Sequence, residues 1–176
     1  YILLKSYTEE DIIEVMINQF NYNYNKFITN AANNLNYSKL EISTLASIIQ
    51  GEAMDGKEMP IISSVYHNRL IKKMYLQADP TIQYIIPGEY RRLYIKDLQI
   101  DSPYNTYKIK GLPPGPISMP DISSIDAVLN SRNHNYIFFV ADPYNPGYHL
   151  FASKLSQHNK NKRVYTRWLN SKKIYR

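Results

Sequence analysis

Hydrophobic residues near the start of the chain recur every three or four positions, which is the spacing of one face of an α-helix. Thr8 and, three residues later, Asp11 precede the run, a pair that resembles the capping box of a helix start. The run consists of Ile12, Ile13, Met16, Ile17, Phe20, Tyr24 and Phe27. The pattern predicts a long amphipathic helix that begins near Thr8.

Three more helices are predicted further along. Ser38 and Glu41 repeat the capping pattern, and an apolar stripe follows at helical spacing. The stripe consists of Leu45, Ile48 and Ile49. Pro60, tolerated in the first turn of a helix, opens the next pattern, which places a connector at residues 51–59. Asp79 before Pro80 is typical of an N-cap and a first helical residue, so a short helix through Tyr84 is expected.

The C-terminal half favours strands and ends in a basic helix. Two aromatic runs, 136–141 and 148–152, flank a segment rich in turn residues and predict a β-hairpin. A short helix is predicted before them at residues 120–130, and a basic helix after them from about Ser156. The sequence therefore predicts an α+β fold with a helical N-terminal half and a small β-hairpin-containing sheet in the C-terminal half. The longest apolar run, 136–141, is far shorter than the roughly 20 residues of a membrane-spanning helix.

The basic charge of the chain is confined to its C-terminal end. The net charge is +6, but eight of the 21 Lys and Arg residues, and no Asp or Glu, lie in residues 153–176. The rest of the chain carries 13 basic against 15 acidic residues. No nucleic-acid-binding motif accompanies this charge, so nucleic acid is not predicted as a partner. The basic end suits a polyanion or an anionic lipid surface, or is a solvated helix face.

Several kinds of site are disfavoured by the residue types present. The chain has no cysteine, which excludes disulfides, thiolate zinc sites and cysteine nucleophiles. Its four histidines show no metal-ligand spacing, so no metal site is predicted, and His149 is expected to be packed or hydrogen-bonded. Prolines interrupt the glycines of residues 111–115 and remove the backbone donors of a phosphate-binding loop. No cofactor is therefore predicted.

Glu52 is the candidate for acid-base chemistry. It lies four residues after Ile48 and three after Ile49, so a helix that continues this far places its carboxyl on the apolar stripe. Desolvation there raises the pKa of a carboxylic acid and keeps it protonated near neutral pH, as a general acid requires. The alternative is a glutamate at a helix end whose head reaches water.

A second carboxyl is available for sugar chemistry. A glycoside hydrolase usually needs two carboxyls across the sugar, and Glu58 or Asp79 could accompany Glu52. Glu58 also suits a structural place just before a helix, where the helix dipole favours negative charge. Residues 104–107 and 111–117 combine aromatic and amide side chains with a rigid Pro and Gly frame, which is typical of a sugar-binding ledge and equally of a structural loop.

From about Leu40 to Tyr165 the ordered motifs resemble one family, the endolytic murein transglycosylases, also called MltG or YceG-like proteins. In chain order the motifs are residues 45–49, Glu52, Glu58, residues 64–70, 74–81, 102–107, 111–117 and 136–141, and finally His149 through His158 and Asn159. One departure is Gln50-Gly51, where many relatives carry an acid followed by a lysine. Gly51 is expected to end the helix early.

The resemblance implies that Glu52 acts as general acid and then as general base on the bond between N-acetylmuramic acid and N-acetylglucosamine in peptidoglycan strands. The muramic 6-hydroxyl attacks its own anomeric carbon and leaves a 1,6-anhydro end, so no second carboxylate is required. The implied substrate-binding residues are Gln77, Asp79, Tyr104, Asn105 and Tyr107. Glu58 is expected to bind substrate as well or to orient the region of Glu52. The fold is then expected to surround a glycan cleft.

The resemblance also implies a domain organisation and a location. Residues 1–36 are expected to join a missing LysM-like subdomain to a catalytic domain at residues 37–176. Family members carry one N-terminal transmembrane helix, which implies a truncated ectodomain at the bacterial inner membrane that faces the periplasm. The expected partners are peptidoglycan strands and wall-synthesis enzymes. A muramidase-type hydrolase and a non-catalytic peptidoglycan-binding module remain alternative functions.

Overall fold

The computed structural model describes residues 2–35, 37–53 and 56–174, with the backbone alone for residues 26–35. By its contacts the chain divides into two compact units, Tyr1–Ser38 and Lys39–Arg176. The described residues form six α-helices, α1 to α6, and two strands, β1 and β2. None of the helices described is long and apolar enough to span a membrane.

The first unit is built on one helix, α1 (Glu9–Leu35), whose start confirms the predicted capping box. The backbone N–H of Thr8 donates to the Asp11 carboxylate at 2.8 Å, and the N–H of Asp11 donates to the Thr8 hydroxyl at 3.2 Å. These reciprocal bonds satisfy two donors that a helix start otherwise leaves unpaired. The predicted stripe position Phe27 has a side chain outside the described residues.

Four helices form the core of the second unit. They are α2 (Lys39–Glu52), α3 (Met59–Ile71), α4 (Asp79–Ile85) and α5 (Ile122–Leu129). α2 contacts the other three. Its predicted stripe residues Leu45, Ile48 and Ile49 have no exposed surface. Full burial of such a side chain contributes about 1.5–3 kcal/mol before chain entropy is counted, so the stripe fixes α2 against its neighbours.

The predicted hairpin follows, with α6 packed on it. β1 (Phe138–Ala141) and β2 (His149–Ala152) pair antiparallel. α6 (Leu155–Ser171) contacts both strands, and His158 stacks on Phe138 with ring centroids 5.0 Å apart. Helices thus occupy the first half and the small sheet the second, which confirms the α+β class.

Polar side chains of α3 attach the hairpin to the helical core. The amide of Asn68 donates to the carbonyls of His134 and Tyr136, both at 2.9 Å. Arg69 Nε donates to the carbonyl of Ile137 at 2.7 Å. Because buried carbonyls need partners, these bonds satisfy the backbone just before β1 while holding it on α3.

At Glu52 and at Asp79 the helix boundary differs from the sequence prediction. α2 does not end early at Gly51, because the N–H of Ala53 still bonds to the carbonyl of Ile49 at 3.0 Å. That expectation was wrong, and the connector to α3 starts after Glu52. At α4 the N-cap is Ala78, so Asp79 is the first helical residue, and its carboxylate is free of the capping role predicted for it.

Candidate functional site

The last turn of α2 brings Glu52 against α3 and the start of α4. Tyr66 Oη of α3 donates a hydrogen bond of 2.7 Å to Glu52 Oε1. The backbone N–H of Asp79 also donates to the Glu52 carboxylate. Glycine at position 51 permits this approach, since a Cβ there would lie 2.7 Å from the Cβ of Pro80.

Burial sets the protonation of Glu52. Desolvation raises its pKa to about 7, and the negative charge of Asp79 acts in the same direction. The hydrogen bond from Tyr66, the positive charge of Arg69 and the N–H of Asp79 oppose this rise. The carboxyl therefore exchanges its proton near neutral pH, as a group that acts first as an acid and then as a base requires.

Tyr66 and Arg69 lie three residues apart on one face of α3, and both are buried. Desolvation raises the pKa of the Tyr66 phenol well above its ordinary value, and the neighbouring charge of Glu52 adds to it, so Tyr66 stays a donor. Burial lowers the pKa of Arg69, but guanidinium remains charged in proteins. Arg69 Nη1 donates to the Leu76 carbonyl at 2.5 Å, which fixes the cation beside the carboxyl.

Asp79 forms the second acidic position of the site. Its exposed carboxylate accepts a hydrogen bond from the Tyr107 hydroxyl. Desolvation, and then the charge of Asp79, raise the pKa of Tyr107, so its phenol stays protonated. The charge of Glu52 acts on the same phenol, which places Glu52, Asp79 and Tyr107 in one cluster.

Gln77 precedes this cluster in a strained backbone conformation. Its φ of 49° lies in the left-handed region, which is unusual for a residue other than glycine. Its N–H bonds to the carbonyl of Thr106 at 3.0 Å, while its side chain is exposed. Such strain persists only where surrounding contacts enforce it, and it concentrates at functional sites.

Asn105 and Thr106 hold the Tyr107 loop from the inside. Asn105 has no exposed surface, and its amide donates to the carbonyls of Leu98 and Ile100 at 3.1 and 2.7 Å. Its Oδ1 accepts from the N–H of Tyr107 at 2.9 Å. Thr106 Oγ1 accepts from the N–H of Ala78 at 3.0 Å. Asn105 is thus placed to position Tyr107, with no surface through which to touch a ligand.

Further aromatic side chains follow Asp79 along the chain, and one of them, Tyr90, lies near the acidic cluster. Tyr104 packs on Tyr84 with ring centroids 4.8 Å apart. Tyr90 is 79% exposed, yet partial desolvation and then the charges of Glu52 and Asp79 raise the pKa of its phenol, so it lies near both carboxyls. The following loop is closed by a paired contact in which two guanidinium nitrogens of Arg91 bind both oxygens of Asp97, at 2.7 and 2.9 Å.

Glu58 is hydrogen-bonded to His149 of β2. It is 5% exposed, its Oε1 accepts from the N–H of His149 at 3.0 Å, and its Oε2 lies 2.7 Å from His149 Nδ1. His149 is hydrogen-bonded, as expected. Both oxygens of Glu58 are therefore engaged in attaching the connector before α3 to β2.

Gln50 and Ser47 attach later segments to α2. Gln50 Oε1 accepts from the N–H of Asp121 at 2.7 Å, at the start of α5. Ser47 Oγ accepts from the N–H of Ile117 at 3.0 Å and anchors the Pro- and Gly-rich loop. Gln50 therefore has a defined structural partner in this chain.

Two residues of the site, Tyr66 and Arg69, were not predicted as functional. Both belong to an apolar helical pattern, which conceals them among core residues, although a polar pair at i and i+3 is a signal that could have found them. No group of three or more His, Asp and Glu in the described ranges is close enough to hold one metal ion. The structure brings the Glu52 carboxyl, whose pKa is raised to about 7, together with Tyr66, Arg69, Asp79 and Tyr107.

Known proteins resemble this chain over most of its length. A sequence profile of the YceG-like family matches residues 1–164. The endolytic murein transglycosylase of Bacillus subtilis (strain 168) is 41% identical over 163 residues, covering 93% of this chain and 44% of that protein. The endolytic murein transglycosylase of Streptococcus pneumoniae serotype 2 (strain D39) is 29% identical over 166 residues, covering 92% of this chain and 30% of that protein.

A solved structure shows the same fold. The crystal structure of a YceG-like protein from Listeria monocytogenes superposes with a TM-score of 0.82 at 37% identity, covering 90% of this chain and 51% of that one. The chain spans less than half the length of the curated relatives it matches.

Proposed function

The chain belongs to the YceG-like family, and from that membership we propose that it cleaves peptidoglycan glycan strands internally as a lytic transglycosylase. The scissile bond is the β-1,4 bond between N-acetylmuramic acid and N-acetylglucosamine, and the products carry 1,6-anhydro-muramic ends. The observation that carries the proposal is Glu52, a carboxyl whose pKa is raised to about 7 and whose Oε1 is held by Tyr66.

Glu52 serves both proton transfers of the reaction. Protonated Glu52 donates to the glycosidic oxygen as the bond from that oxygen to the muramic anomeric carbon breaks. The resulting carboxylate then accepts the proton of the muramic 6-hydroxyl as its oxygen bonds to the same carbon. Proton count and charge are restored in one cycle, so Glu52 returns to its acid form without water or a second carboxyl.

The neighbouring residues support these steps. Arg69 and Tyr66 stabilise the carboxylate formed after the first transfer, while Asp79 is near enough to favour positive charge developing on the sugar. Gln77, Tyr104 and Tyr107 have accessible side chains and are assigned to substrate binding. Asn105 is assigned to positioning Tyr107, and Glu58 to holding the connector that follows Glu52.

A hydrolase with a second carboxylate is the competing reaction. Glu58 is a poor second group because both of its oxygens are bound by His149. Asp79 lies near Glu52, so a hydrolytic reaction would use that pair. Hydrolysis leaves reducing muramic ends, whereas transglycosylation leaves anhydro ends, and the products therefore distinguish the two reactions.

The proposed place of action is outside the cytoplasm, because the substrate is cell-wall peptidoglycan. The full protein is proposed to be held at the inner membrane by a segment N-terminal to this chain, with the catalytic part facing the periplasm. Trimming of new strands there would bring it close to wall-synthesis enzymes. Such partners are proposed from the substrate alone.

Mass spectrometry of glycan fragments tests the reaction. Purified peptidoglycan is incubated with the protein, with Glu52→Gln and with Glu41→Gln, which makes the same change at the exposed start of the same helix. We expect anhydro-ended fragments from the parent and from Glu41→Gln. Glu52→Gln should release them more slowly by a factor on the order of 10²–10⁴, because it cannot donate a proton. Reducing ends, or equal release by Glu52→Gln, would contradict the proposal.

A further inference from the structure

The outer face of α6 carries a continuous basic stripe. Its side chains border a shallow hollow of about 350 Å³. The lining residues are Asn159, Lys162, Arg163, Thr166 and Arg167, and all five are exposed. Their spacing of three and four places them along one helix face over about 12 Å. Three cations and two polar hydrogen-bonding groups therefore face the same small volume.

Among the described residues no acidic side chain forms an ion pair with these cations. α6 contains no Asp or Glu, and no ion pair in the described parts of the chain involves an α6 side chain. The segment 153–176 as a whole has eight basic and no acidic residues, whereas the rest of the chain is slightly acidic. Charge is thus concentrated here instead of being spread over the surface.

The chemistry of the hollow favours phosphate. Arg163 and Arg167 lie one turn apart, and each guanidinium can bind two oxygens of one phosphate. Thr166 and Asn159 supply neutral hydrogen-bonding groups beside them. A stripe of this length can contact more than one phosphate along an extended chain.

A membrane surface fits this helix less well. Helices that lie on membranes bury an apolar face in the lipid boundary. The opposite face of α6 is already used within the protein, since His158 stacks on Phe138, Leu169 is 9% exposed and α6 contacts both strands. The outer face carries mainly charged and hydrogen-bonding groups, and its exposed apolar residue Leu155, in the first turn, is too small a surface for an apolar membrane-binding face. We propose that the α6 stripe is a binding site for an extended polymer of phosphate groups, separate from the carboxyl site at Glu52.

Fluorescence anisotropy with labelled linear inorganic polyphosphate tests this at 0.15 M salt. The stripe variant Lys162→Gln/Arg163→Gln/Arg167→Gln is compared with Lys154→Gln/Lys172→Gln/Lys173→Gln, which removes the same charge from the same segment outside the hollow. We expect Kd to rise at least tenfold for the stripe variant and less than threefold for the control. An equal loss of affinity in the stripe variant and the control variant would overturn the proposal, as would the absence of polyphosphate binding by the parent protein.

Three further measurements test whether the stripe recognises phosphate groups and whether it distinguishes a phosphate polymer from a lipid surface. Arg163→Lys/Arg167→Lys keeps the charge but removes the planar guanidinium groups that can each bind two phosphate oxygens. It should weaken polyphosphate binding about three- to tenfold if phosphate is bound by such paired hydrogen bonds. Polyglutamate of equal charge should compete at least fivefold less well than polyphosphate. Phosphatidylglycerol vesicles should show no dependence on the stripe. An unchanged Kd for polyphosphate in the Arg-to-Lys variant would contradict a phosphate-polymer site. Equal competition by polyglutamate, or vesicle binding that depends on the stripe, would contradict it as well.

Discussion

The pKa of Glu52 results from opposing neighbours, and each can be removed separately. Burial and Asp79 favour the protonated acid, whereas Tyr66 and Arg69 favour the carboxylate. The first transfer needs the acid, so kcat/KM should fall as pH rises through about 7. Substitutions at Tyr66 and Asp79 should move this alkaline limb in opposite directions.

Tyr66→Phe removes the hydrogen bond that stabilises the carboxylate, so the pKa of Glu52 should rise and the limb should move upward by about 0.5–1 pH unit. Asp79→Asn removes the nearby negative charge, so the limb should move downward by a similar amount. A pH profile of anhydro-product release measures both shifts. Tyr144→Phe, at an exposed turn residue, is the control and should leave the limb in place. Two shifts of the same sign would mean that another group controls the limb.

Sequence reasoning singled out Glu52 as a candidate because its acid type and its position relative to Ile48 and Ile49 are local features. It missed Tyr66 because a tyrosine within an apolar helical pattern resembles a core residue unless its pairing with Arg69 three residues later is taken into account. The same limit applies to Asn105, whose amide suggested a ligand contact but lies inside the loop, bonded to backbone. Side-chain direction, not residue type, separates these cases.

Helices were the best predicted elements because helix caps and apolar stripes are patterns of residues that are close together in the sequence. The predicted helix end at Gly51 was wrong for a reason that the neighbouring residues in the sequence do not show. Glycine is unfavourable in an isolated helix, but here its missing side chain lets Pro80 of α4 approach. Tertiary packing therefore outweighs the local preference and carries α2 through Gly51 to Glu52.

Gly51→Ala should disturb this contact. An added Cβ would lie 2.7 Å from the rigid ring of Pro80, so α4 must move away, at a cost of about 1–3 kcal/mol of unfolding free energy. Thermal or denaturant unfolding measures the loss, and peptidoglycan cleavage should fall with it because Asp79 moves with α4. Gly56→Ala, where nothing lies within 4 Å of the added atom, should stay within about 0.5 kcal/mol. Equal stability of the two variants would show that the helices adjust freely.

At the scale of the whole molecule, sequence reasoning predicted the α+β class but not the contacts that assemble it. The pair of Glu58 and His149 joins residues 91 positions apart. Gln50 and Asp121 likewise meet across 71 positions. No local pattern encodes such partners, because each residue type is compatible with many surroundings until the chain is folded.

The whole domain should become less stable as Glu52 ionises. The pKa of this group is about 7 in the folded protein and 4.5 for an unperturbed glutamate, so the folded state holds a proton that the unfolded chain has lost. Stability from this group is present below pH 4.5 and is lost as pH rises to about 7. The side chain of Glu52→Gln cannot ionise. The free energy of unfolding of this variant, relative to that of the parent protein, should therefore increase across that window by on the order of 1–3 kcal/mol.

Thermal melting at several pH values from 4.5 to 8 measures this difference. Glu41→Gln, the exposed counterpart, should follow the parent protein at every pH. A constant difference between the parent and Glu52→Gln would show that the carboxyl is ionised throughout and that burial does not hold its proton. The measurement requires no substrate, so it tests the acid independently of the proposed reaction.

Arg69 joins two parts of the second unit through one rigid group. Its guanidinium binds the carbonyl of Ile137 ahead of β1 and that of Leu76 ahead of Gln77 and Asp79. Loss of this one guanidinium would therefore leave two backbone carbonyls without these donors at once, one at the hairpin and one just before the acidic cluster.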